Sequence, residues 1–404
     1  MKALQSSNLC EGSSLKPDKG FLFSPYPFAD NFAAVELIAV CLQIIFYSLT
    51  MNIPKFSGIH HSFHKELKAK IGEYFLEVGS STTGNYKLFL KAVILMVSFT
   101  VVYIHLVFFT PAVSWQVLES ILLGGLVAAI GFNVMHDGAH GSFSKYKWIN
   151  RLAAFSLNIL GGNTFMWNMK HNIIHHAYTN IDGVDDDIDI QPWLRMSTTQ
   201  KKYRMHKYQH LYFWILYSML YIFWVFLLDY QKYFKRRIGN MPVKKMNWSD
   251  HLIFWGFKLF HLFLFIGLPV YKVGFESWLI SFLIFTLVAG FVLSIVFQLA
   301  HTVEHTAFPV ANAETGNMED EWAIHQLKTT ANFATKNKVV TWLIGGLNFQ
   351  IEHHLFPKIS HIHYPALHDI LRKVCEERGL NYIEYKNVRF AIASHVAFLR
   401  QMGQ

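Results

Sequence analysis

Long apolar runs separated by short polar stretches dominate the middle of the chain. Four of these runs approach the roughly 20 residues that a helix needs to cross a bilayer, and they cover 88–110, 117–135, 251–271 and 278–300. Two weaker candidates cover 32–49, which is interrupted by Glu36 and Gln43, and 211–228. The pattern therefore predicts about four spanning helices, arranged as two hairpins over 88–135 and 251–300.

The basic residues indicate which side of the membrane each connection occupies. Six lysines fall within 52–91, and more basic residues follow position 135, whereas the turn at 110–115 has no lysine or arginine and the turn at 271–277 has only Lys272. Short cytoplasmic segments carry the excess of Lys and Arg. Both hairpins are therefore expected to begin and end on the cytoplasmic side.

Segment 211–228 does not fit a simple crossing, because basic residues flank it on both sides. A single crossing would place one basic cluster outside the cell, so we interpret the segment as interfacial or re-entrant, with its aromatic residues at headgroup depth. The expected fold is an all-α integral membrane protein with a cytoplasmic helical cap formed by 136–250 and 301–404.

Composition agrees with a membrane protein and narrows the function classes. The 404 residues are 52% hydrophobic and only 16% charged, which is unusual for a soluble domain. The net charge of +9 is explained by basic cytoplasmic segments beside anionic lipid headgroups rather than by nucleic-acid binding. Membrane lipid is thus an expected partner, and nucleic acid is not.

Histidines occur in four short clusters at or near the edges of the apolar runs. Three clusters contain pairs spaced four residues apart, which share one face of a helix, and the fourth places Gln350 four residues before a histidine. The members are His136 and His140; His171, His175 and His176; His301 and His305; and Gln350, His353 and His354. Ten potential ligands exceed the roughly six that an octahedral ion accepts, so the sequence predicts at least two metal ions. Imidazole suits iron, zinc, copper and nickel alike, and the spacing does not choose among them.

Acidic residues lie within and beside these clusters. Asp137, Glu304 and Glu352 lie inside them, and Asp187 belongs to an acidic run that follows the second cluster. Such carboxylates commonly orient metal-bound histidines by accepting a hydrogen bond from the second ring nitrogen. We expect this role for these four residues, with a solvated acidic loop as the alternative for the run that contains Asp187.

The clusters resemble the three histidine boxes of membrane fatty acid desaturases: HxxxH at His136–His140, HxxxHH at His171–His176 and QxxHH at Gln350–His354. The glutamine in the third box is similar to the front-end subgroup, of the delta-5 and delta-6 type. The resemblance covers about 51–385, with 386–404 as a C-terminal tail. Residues 1–50 are either an N-terminal extension or lie upstream of a true start at Met51.

The resemblance implies a di-iron centre that uses O2 to form a cis double bond in an acyl chain. It implies that the residues of the three boxes are iron ligands. His301 and His305 match a further element that completes the coordination in related desaturases. The acyl carrier is left open among CoA, a carrier protein and a lipid. No His-Pro-Gly-Gly heme motif of a fused cytochrome b5 occurs in the sequence, so a separate electron donor, of ferredoxin or cytochrome b5 type, is expected.

Two other functions are considered. A related di-iron membrane hydroxylase or ketolase would share the histidine clusters but would insert oxygen into its substrate. A metal transporter would place its histidines at mid-membrane on facing helices, whereas the clusters here lie at or beyond the ends of the apolar runs.

Overall fold

The computed structural model describes residues 54–56, 62–109, 111–312 and 314–404 of the chain, and within them it is predominantly helical. Four helices are long and apolar enough to cross a membrane: α2 (Tyr86–Phe109), α3 (Val113–His140), α8 (Trp248–Val273) and α9 (Phe275–His301). They match the four predicted spans to within a few residues at most ends. The predicted candidate at 32–49, and the extension at 1–50 that contains it, lie outside the described residues.

The remaining helices are shorter. They are α1 (Ser62–Val78), α4 (Lys147–Ile159), α5 (164–178), α6 (Arg204–Ser218), α7 (Leu220–Lys235), α10 (Trp322–Thr329), α11 (Lys338–Leu343), α12 (Gln350–Leu355), α13 (Tyr364–Glu377, preceded by a 3-10 turn at His361–His363) and α14 (Val388–Gly403). Two small sheets complete the fold: β1 (Arg237–Ile238) pairs antiparallel with β2 (Met241–Pro242), and β3 (Asn332–Phe333) pairs parallel with β4 (Glu384–Tyr385).

The spanning helices form the two predicted hairpins, α2–α3 and α8–α9. A single residue, Gly274, separates α8 from α9, and its φ of +82° is a left-handed conformation that glycine adopts without steric penalty. Helices α3 and α9 pack closely because Gly124 lets the backbone carbonyl of Phe285 approach: a Cβ at Gly124 would lie 2.6 Å from that oxygen. Small residues commonly permit such close helix contacts in membranes.

Segment 211–228 forms parts of α6 and α7, two helices that meet at an angle of 57°. The bend rests on α9, where a Cβ at Gly290 would collide with the backbone carbonyl of Ser218. By length and composition the described residues contain four spans, or five if this bent pair counts as one. A bend of this kind fits both a broken span and a re-entrant segment, so the predicted interfacial or re-entrant position of 211–228 stays a prediction.

A buried ion pair fixes α7 against α8. The ammonium group of Lys258 donates hydrogen bonds to Asp229 (2.8 Å) and to the backbone carbonyls of Gly161 (2.7 Å) and Val225 (2.9 Å). Lys258 and Asp229 are almost fully buried, and a buried charge needs such partners to be tolerated. The pair joins the spanning helix α8 to α7 and to the loop that contains Gly161.

The cap covers the ends of α3 and α9. The backbone N–H of Ala331 donates to the carbonyl of Ala300 at 2.8 Å, and the N–H of Asn332 donates to the carbonyl of Ile383 at 2.9 Å. These bonds connect the end of α9 to the β3–β4 pair. A separate apolar core beneath α1, α10, α12 and α13 includes Phe63, Leu67 and Leu367. The cap is thus a packed unit that holds α12 over the membrane-facing helices.

Candidate metal centre

Four segments carry the nine predicted histidines and bring eight of them together. Helix α3 ends with His136 and His140, α5 carries His171, His175 and His176, α9 ends with His301, and α12 carries His353 and His354; the ninth, His305, follows α9. Eight of them have ring centroids 4.4–4.8 Å from at least one other member. All eight are buried except His140, which is partly exposed. The exception to the clustering is His305.

A π-helical stretch shapes the second cluster. Residues Asn168–His175 of α5 form a π-helix, and the backbone N–H of His176 donates to the carbonyl of His171, five residues earlier. This wider turn places Nε2 of His176 3.2 Å from Nε2 of His171. Another π-helical turn, Gly131–Met135, comes directly before His136. Such turns occur frequently at functional sites, and the predicted spacing of four residues did not anticipate this pairing.

The ring nitrogens fall into groups compact enough to hold metal ions. One group contains His136, His140, His171 and His353, and a second contains His175, His301 and His354; in each, the nitrogens lie within 4.8 Å of one another. A third group joins His176 to His353 and His354, so His176 lies between the first two. Two adjacent metal positions would use all eight histidines.

The outer nitrogens of several histidines have fixed partners. Nδ1 of His175 lies 3.0 Å from Oδ2 of Asp185, Nδ1 of His301 lies 3.2 Å from the Thr329 carbonyl, Nδ1 of His353 lies 3.0 Å from the Tyr364 hydroxyl, and Nδ1 of His354 lies 2.8 Å from Oε1 of Gln326. Where the partner is a carboxylate, carbonyl or amide oxygen it can only accept, so Nδ1 carries the proton and Nε2 presents its lone pair. This arrangement is the usual one for metal-bound histidines.

The inner nitrogens fit a metal and little else. The Nε2 atoms of His175, His301, His353 and His354 are buried, and within the described part of the chain no hydrogen-bond partner reaches them. A buried polar atom without a partner is destabilising by about 1–3 kcal/mol, and four such atoms pointing into one space would be unfavourable in a protein without a ligand there. The donor set therefore suits metal ions bound by nitrogen.

Burial keeps four of these imidazoles neutral. Desolvation, reinforced by the neighbouring histidines, lowers the pKa of His171, His176, His353 and His354 well below the usual value. Burial also lowers the pKa of His175, but the adjacent Asp185 carboxylate outweighs it and the net shift is upward. Metal ions bind the deprotonated ring, so the four neutral histidines are ready to bind and His175 is held by a carboxylate.

The structure leaves His305 outside the cluster. Helix α9 ends at His301, the next residue has left the helix with a φ of −123°, and Glu304 and His305 lie exposed in the turn that follows. The expected shared face of His301 and His305 requires a continuing helix, which is absent here. Gln350 does lie beside the cluster: it is buried at the start of α12 and lines the same cavity as His353.

Of the four predicted carboxylates, only Asp187 lies beside a clustered histidine. Asp187 lies 3.6 Å from Nδ1 of His175, but Asp185, two residues earlier, is closer. Glu304 is exposed. Asp137 contacts His361 and Ser360, and Glu352 contacts Asn332, His368 and Tyr382, so neither is in contact with a clustered histidine through its side chain. Asp137 and Glu352 instead connect the boxes to the rest of the cap.

A cavity of about 1300 Å³ adjoins the metal centre. His136, His171 and His353 form part of its wall, and residues from α6, α7 and α9 such as Leu220, Val225 and Leu293 form an apolar stretch. The bend between α6 and α7 lies along this stretch, since Met219 also lines the cavity. A long apolar molecule can thus lie with part of its length against the histidines.

Charged residues surround another part of the cavity wall. Lys170 pairs with Asp187 at 2.5 Å, and Lys232 pairs with Asp186 at 2.6 Å. Lys235 and Arg237 also line this part and are exposed. The cavity therefore changes from apolar to charged along its length, as expected for a site that accepts an apolar chain with a polar end.

Gln326 offers a test of how the cap orients the histidines. Replacing Gln326 with leucine removes the acceptor for Nδ1 of His354 and should reduce metal affinity or activity about 10- to 100-fold. Gln326→Glu retains an acceptor and should preserve most of the metal content measured by elemental analysis of the purified protein. Equal metal content in Gln326→Leu and the unchanged protein would show that His354 does not depend on this contact.

The comparisons with known proteins agree with the geometry. A family model described as "Fatty acid desaturase" matches residues 110–386. The "sn-1 linoleoyl-lipid 6-desaturase" of Arthrospira platensis is 36% identical over 84% of this chain and 92% of its own length, and the Synechocystis protein of the same name is 36% identical over 85% and 96%. The "Acyl-lipid (8-3)-desaturase" of Physcomitrium patens is 33% identical over 85% of this chain and 72% of its own.

Proposed function

Because this chain belongs to the fatty acid desaturase family, we propose that its eight clustered histidines hold two iron ions that serve acyl desaturation of the front-end type. The single observation that carries the proposal is the convergence of buried Nε2 atoms, without partners among the described residues, beside a long cavity whose wall includes His353. The membrane-spanning helices and the family agree with a multi-pass membrane oxidoreductase that uses a metal and O2.

The two histidine groups suggest how the ions would be shared. His136, His140, His171 and His353 would hold one ion, and His175, His301 and His354 the other, with His176 beside both. Gln350 lies near the first group and would be a neutral oxygen ligand or a hydrogen-bond donor there. The neutral imidazoles would leave the charge of the ions largely uncompensated, in contrast to carboxylate-rich di-iron sites in soluble helical bundles.

The protein's own side chains would hold the metal ions and position the acyl chain against them. Bound iron would supply the activation of O2, because no side chain can remove hydrogen from an unactivated C–H bond. The cavity wall of α6, α7 and α9 holds the acyl chain away from water and restricts its position along the channel. Asp185, Gln326 and Tyr364 hold the rings of His175, His354 and His353 in fixed orientations. Such orientation can account for a large share of an enzyme's rate.

The substrate is proposed to be an acyl group carried on a lipid. Several relatives are named as acyl-lipid desaturases, and the charged part of the cavity carries acidic residues paired with Lys170 and Lys232. The pairing leaves few free cations for a carrier with several phosphates, such as CoA. Lys235 and Arg237 would remain available to a lipid headgroup at the membrane surface.

The active site is proposed to face the cytoplasm and to receive electrons from a separate protein. The spanning helices α3 and α9 end at the histidine cluster, and the basic segments on that side have the distribution typical of cytoplasmic loops. A soluble or membrane-anchored carrier, of ferredoxin or cytochrome b5 type, would then have access to the cap. Each double bond removes two electrons from the acyl chain, and the carrier supplies the other two that reduce O2 to water.

The proposed function is tested by expressing the protein in a host fed defined polyunsaturated acids. Mass spectrometry of the extracted lipids should show a product two hydrogens lighter, with the new double bond between an existing one and the carboxyl end. Separate analysis of the acyl-lipid and acyl-CoA pools at early times should show the product first in lipid. A product heavier by one oxygen would indicate a hydroxylase instead, and iron-free active protein would contradict the metal assignment.

A further inference from the structure

We propose that the surface around Trp322, at the junction of α1 and α10, is where an acidic one-electron carrier docks, and that Trp322 connects this surface to the metal centre. The inference rests on the proposed function, since only a redox enzyme needs such a carrier. Trp322 is one residue among the 11 tryptophans of the chain, and its contacts distinguish it from the others in the described residues.

Trp322 joins the surface to a clustered histidine by one hydrogen bond. Its Nε1–H donates to the backbone carbonyl of His176 at 3.1 Å, and the side chain is partly exposed at the first turn of α10. On its outer side the ring lies 5.1 Å, centroid to centroid, from the ring of His64 on α1. The path from solvent to the metal centre therefore needs only this side chain and the backbone and imidazole of His176.

A second tryptophan in the described residues also contacts the cluster, but from the substrate side. Trp167 stacks on His171 with centroids 4.4 Å apart, and it lines the cavity that would hold the acyl chain. A carrier protein cannot approach through a channel that the substrate occupies. Trp322 does not line that cavity, so the two tryptophans mark opposite approaches to the histidines.

The charges near Trp322 favour an acidic partner. Lys65 and Lys68 of α1 and Lys358, two residues after Phe356, are exposed and form no ion pair with any described residue. Phe356 itself lies 5.9 Å from the His64 ring, which places Lys358 near the same surface. Unpaired cations around a partly exposed aromatic ring suit a partner with acidic residues around its redox group, because complementary charges speed and orient encounter.

Most acidic residues near this surface are paired with other cations or buried, and they do not neutralise the three lysines. Asp320 pairs with Lys328 at 2.7 Å, and Glu66 pairs with Arg378 at 2.6 Å. Glu319 is exposed without such a pair, and Glu321 is buried. Among the residues named here, three unpaired lysines stand against one unpaired surface carboxylate, which favours an acidic partner.

The test uses the purified holoenzyme with two probes, reduced plant-type ferredoxin and the soluble domain of cytochrome b5. The double variant Lys65→Glu/Lys68→Glu is expected to raise the KM for the preferred carrier about tenfold and to weaken its dependence on ionic strength, with kcat little changed. The matched control is Lys147→Glu, an equally exposed lysine at the start of α4, which should leave the KM for the carrier unchanged.

Trp322→Phe keeps an aromatic ring at this position but removes the indole N–H donor. It is expected to slow reduction of the metal centre by the carrier severalfold in stopped-flow measurements, while single-turnover desaturation after chemical reduction by dithionite stays unchanged. A loss in both measurements would indicate a structural role for Trp322 and overturn the proposal. The proposal would equally be wrong if the lysine variants changed only the dependence of activity on anionic lipid, which would assign the lysines to the membrane.

The docking test is separable from the proposed function. Desaturation supported by dithionite in a single turnover reports the metal centre and the cavity without any carrier. If this activity is absent from the unchanged protein, the proposed function fails. If it is present and the carrier kinetics do not respond to Lys65, Lys68 or Trp322, only the docking surface is wrong.

Discussion

Replacing His171 or His354 with alanine is expected to abolish desaturation and to lower the iron content of the purified protein. Each residue belongs to a different group of nitrogens, so each substitution should affect a different ion and leave one of the two partly bound. Iron per protein chain, measured by elemental analysis, should therefore fall to about half or below, since adjacent ligands act together. Product should fall to the background of the expression host.

The matched control for these variants is His305→Ala. His305 belongs to the same sequence cluster as His301 but lies exposed after the end of α9. We expect His305→Ala to retain both iron and activity. Full activity in His171→Ala or His354→Ala would remove that residue from the proposed ligand set, and loss of iron in His305→Ala would mean that the turn after α9 folds back onto the site.

Filling the cavity at Gly131 is expected to block the acyl chain without removing iron. Gly131 lines the cavity one turn before His136, and a Cβ there would make only ordinary contact, 3.7 Å from Cδ2 of Leu293. Gly131→Phe should lower kcat/KM for the acyl substrate about 100-fold, because a displaced chain no longer lies against the histidines. The measurement is product formation per bound iron in membranes that express the variant.

The series Gly131→Ala, Gly131→Leu and Gly131→Phe separates blocked substrate from damaged structure. Alanine adds one methyl group with space to spare and should keep activity close to that of the unchanged protein, whereas activity should fall stepwise with side-chain volume. Iron content and thermal stability should stay nearly constant through the series. An active Gly131→Phe variant would show that the acyl chain takes another route.

The sequence predicted the spans and the residues of the cluster well, for a physical reason. Apolar runs of bilayer length have few alternatives to a spanning helix. Histidines at or near the ends of these runs are therefore placed at the membrane boundary by the runs themselves. His305, which was predicted to share a helix face with His301, lies instead in the exposed turn after α9. Whether a helix continues past His301 depends on the cap that packs there, and no local signal near His305 reports it.

The residues that orient the histidines could not be predicted. Tyr364, Gln326 and the carbonyl of Thr329 contact histidines that are between 11 and 28 residues away in the chain, and no spacing rule connects them. Asp185 rather than Asp187 approaches His175 most closely, because the loop turns between them. The π-helical stretch of α5 could not be predicted either, since hydrophobic periodicity does not distinguish a wider turn from a regular one.

The position of Lys258 constrains how the protein enters the bilayer during synthesis. A lysine near the middle of a membrane helix opposes insertion of that helix by about 2.5–3.5 kcal/mol. For α8 this free-energy cost is not offset until Asp229 lies beside Lys258. Asp229 is on α7, which emerges from the ribosome first. Helix α8 is therefore expected to wait at the translocon with α7 still nearby and to partition into lipid only as a joined pair.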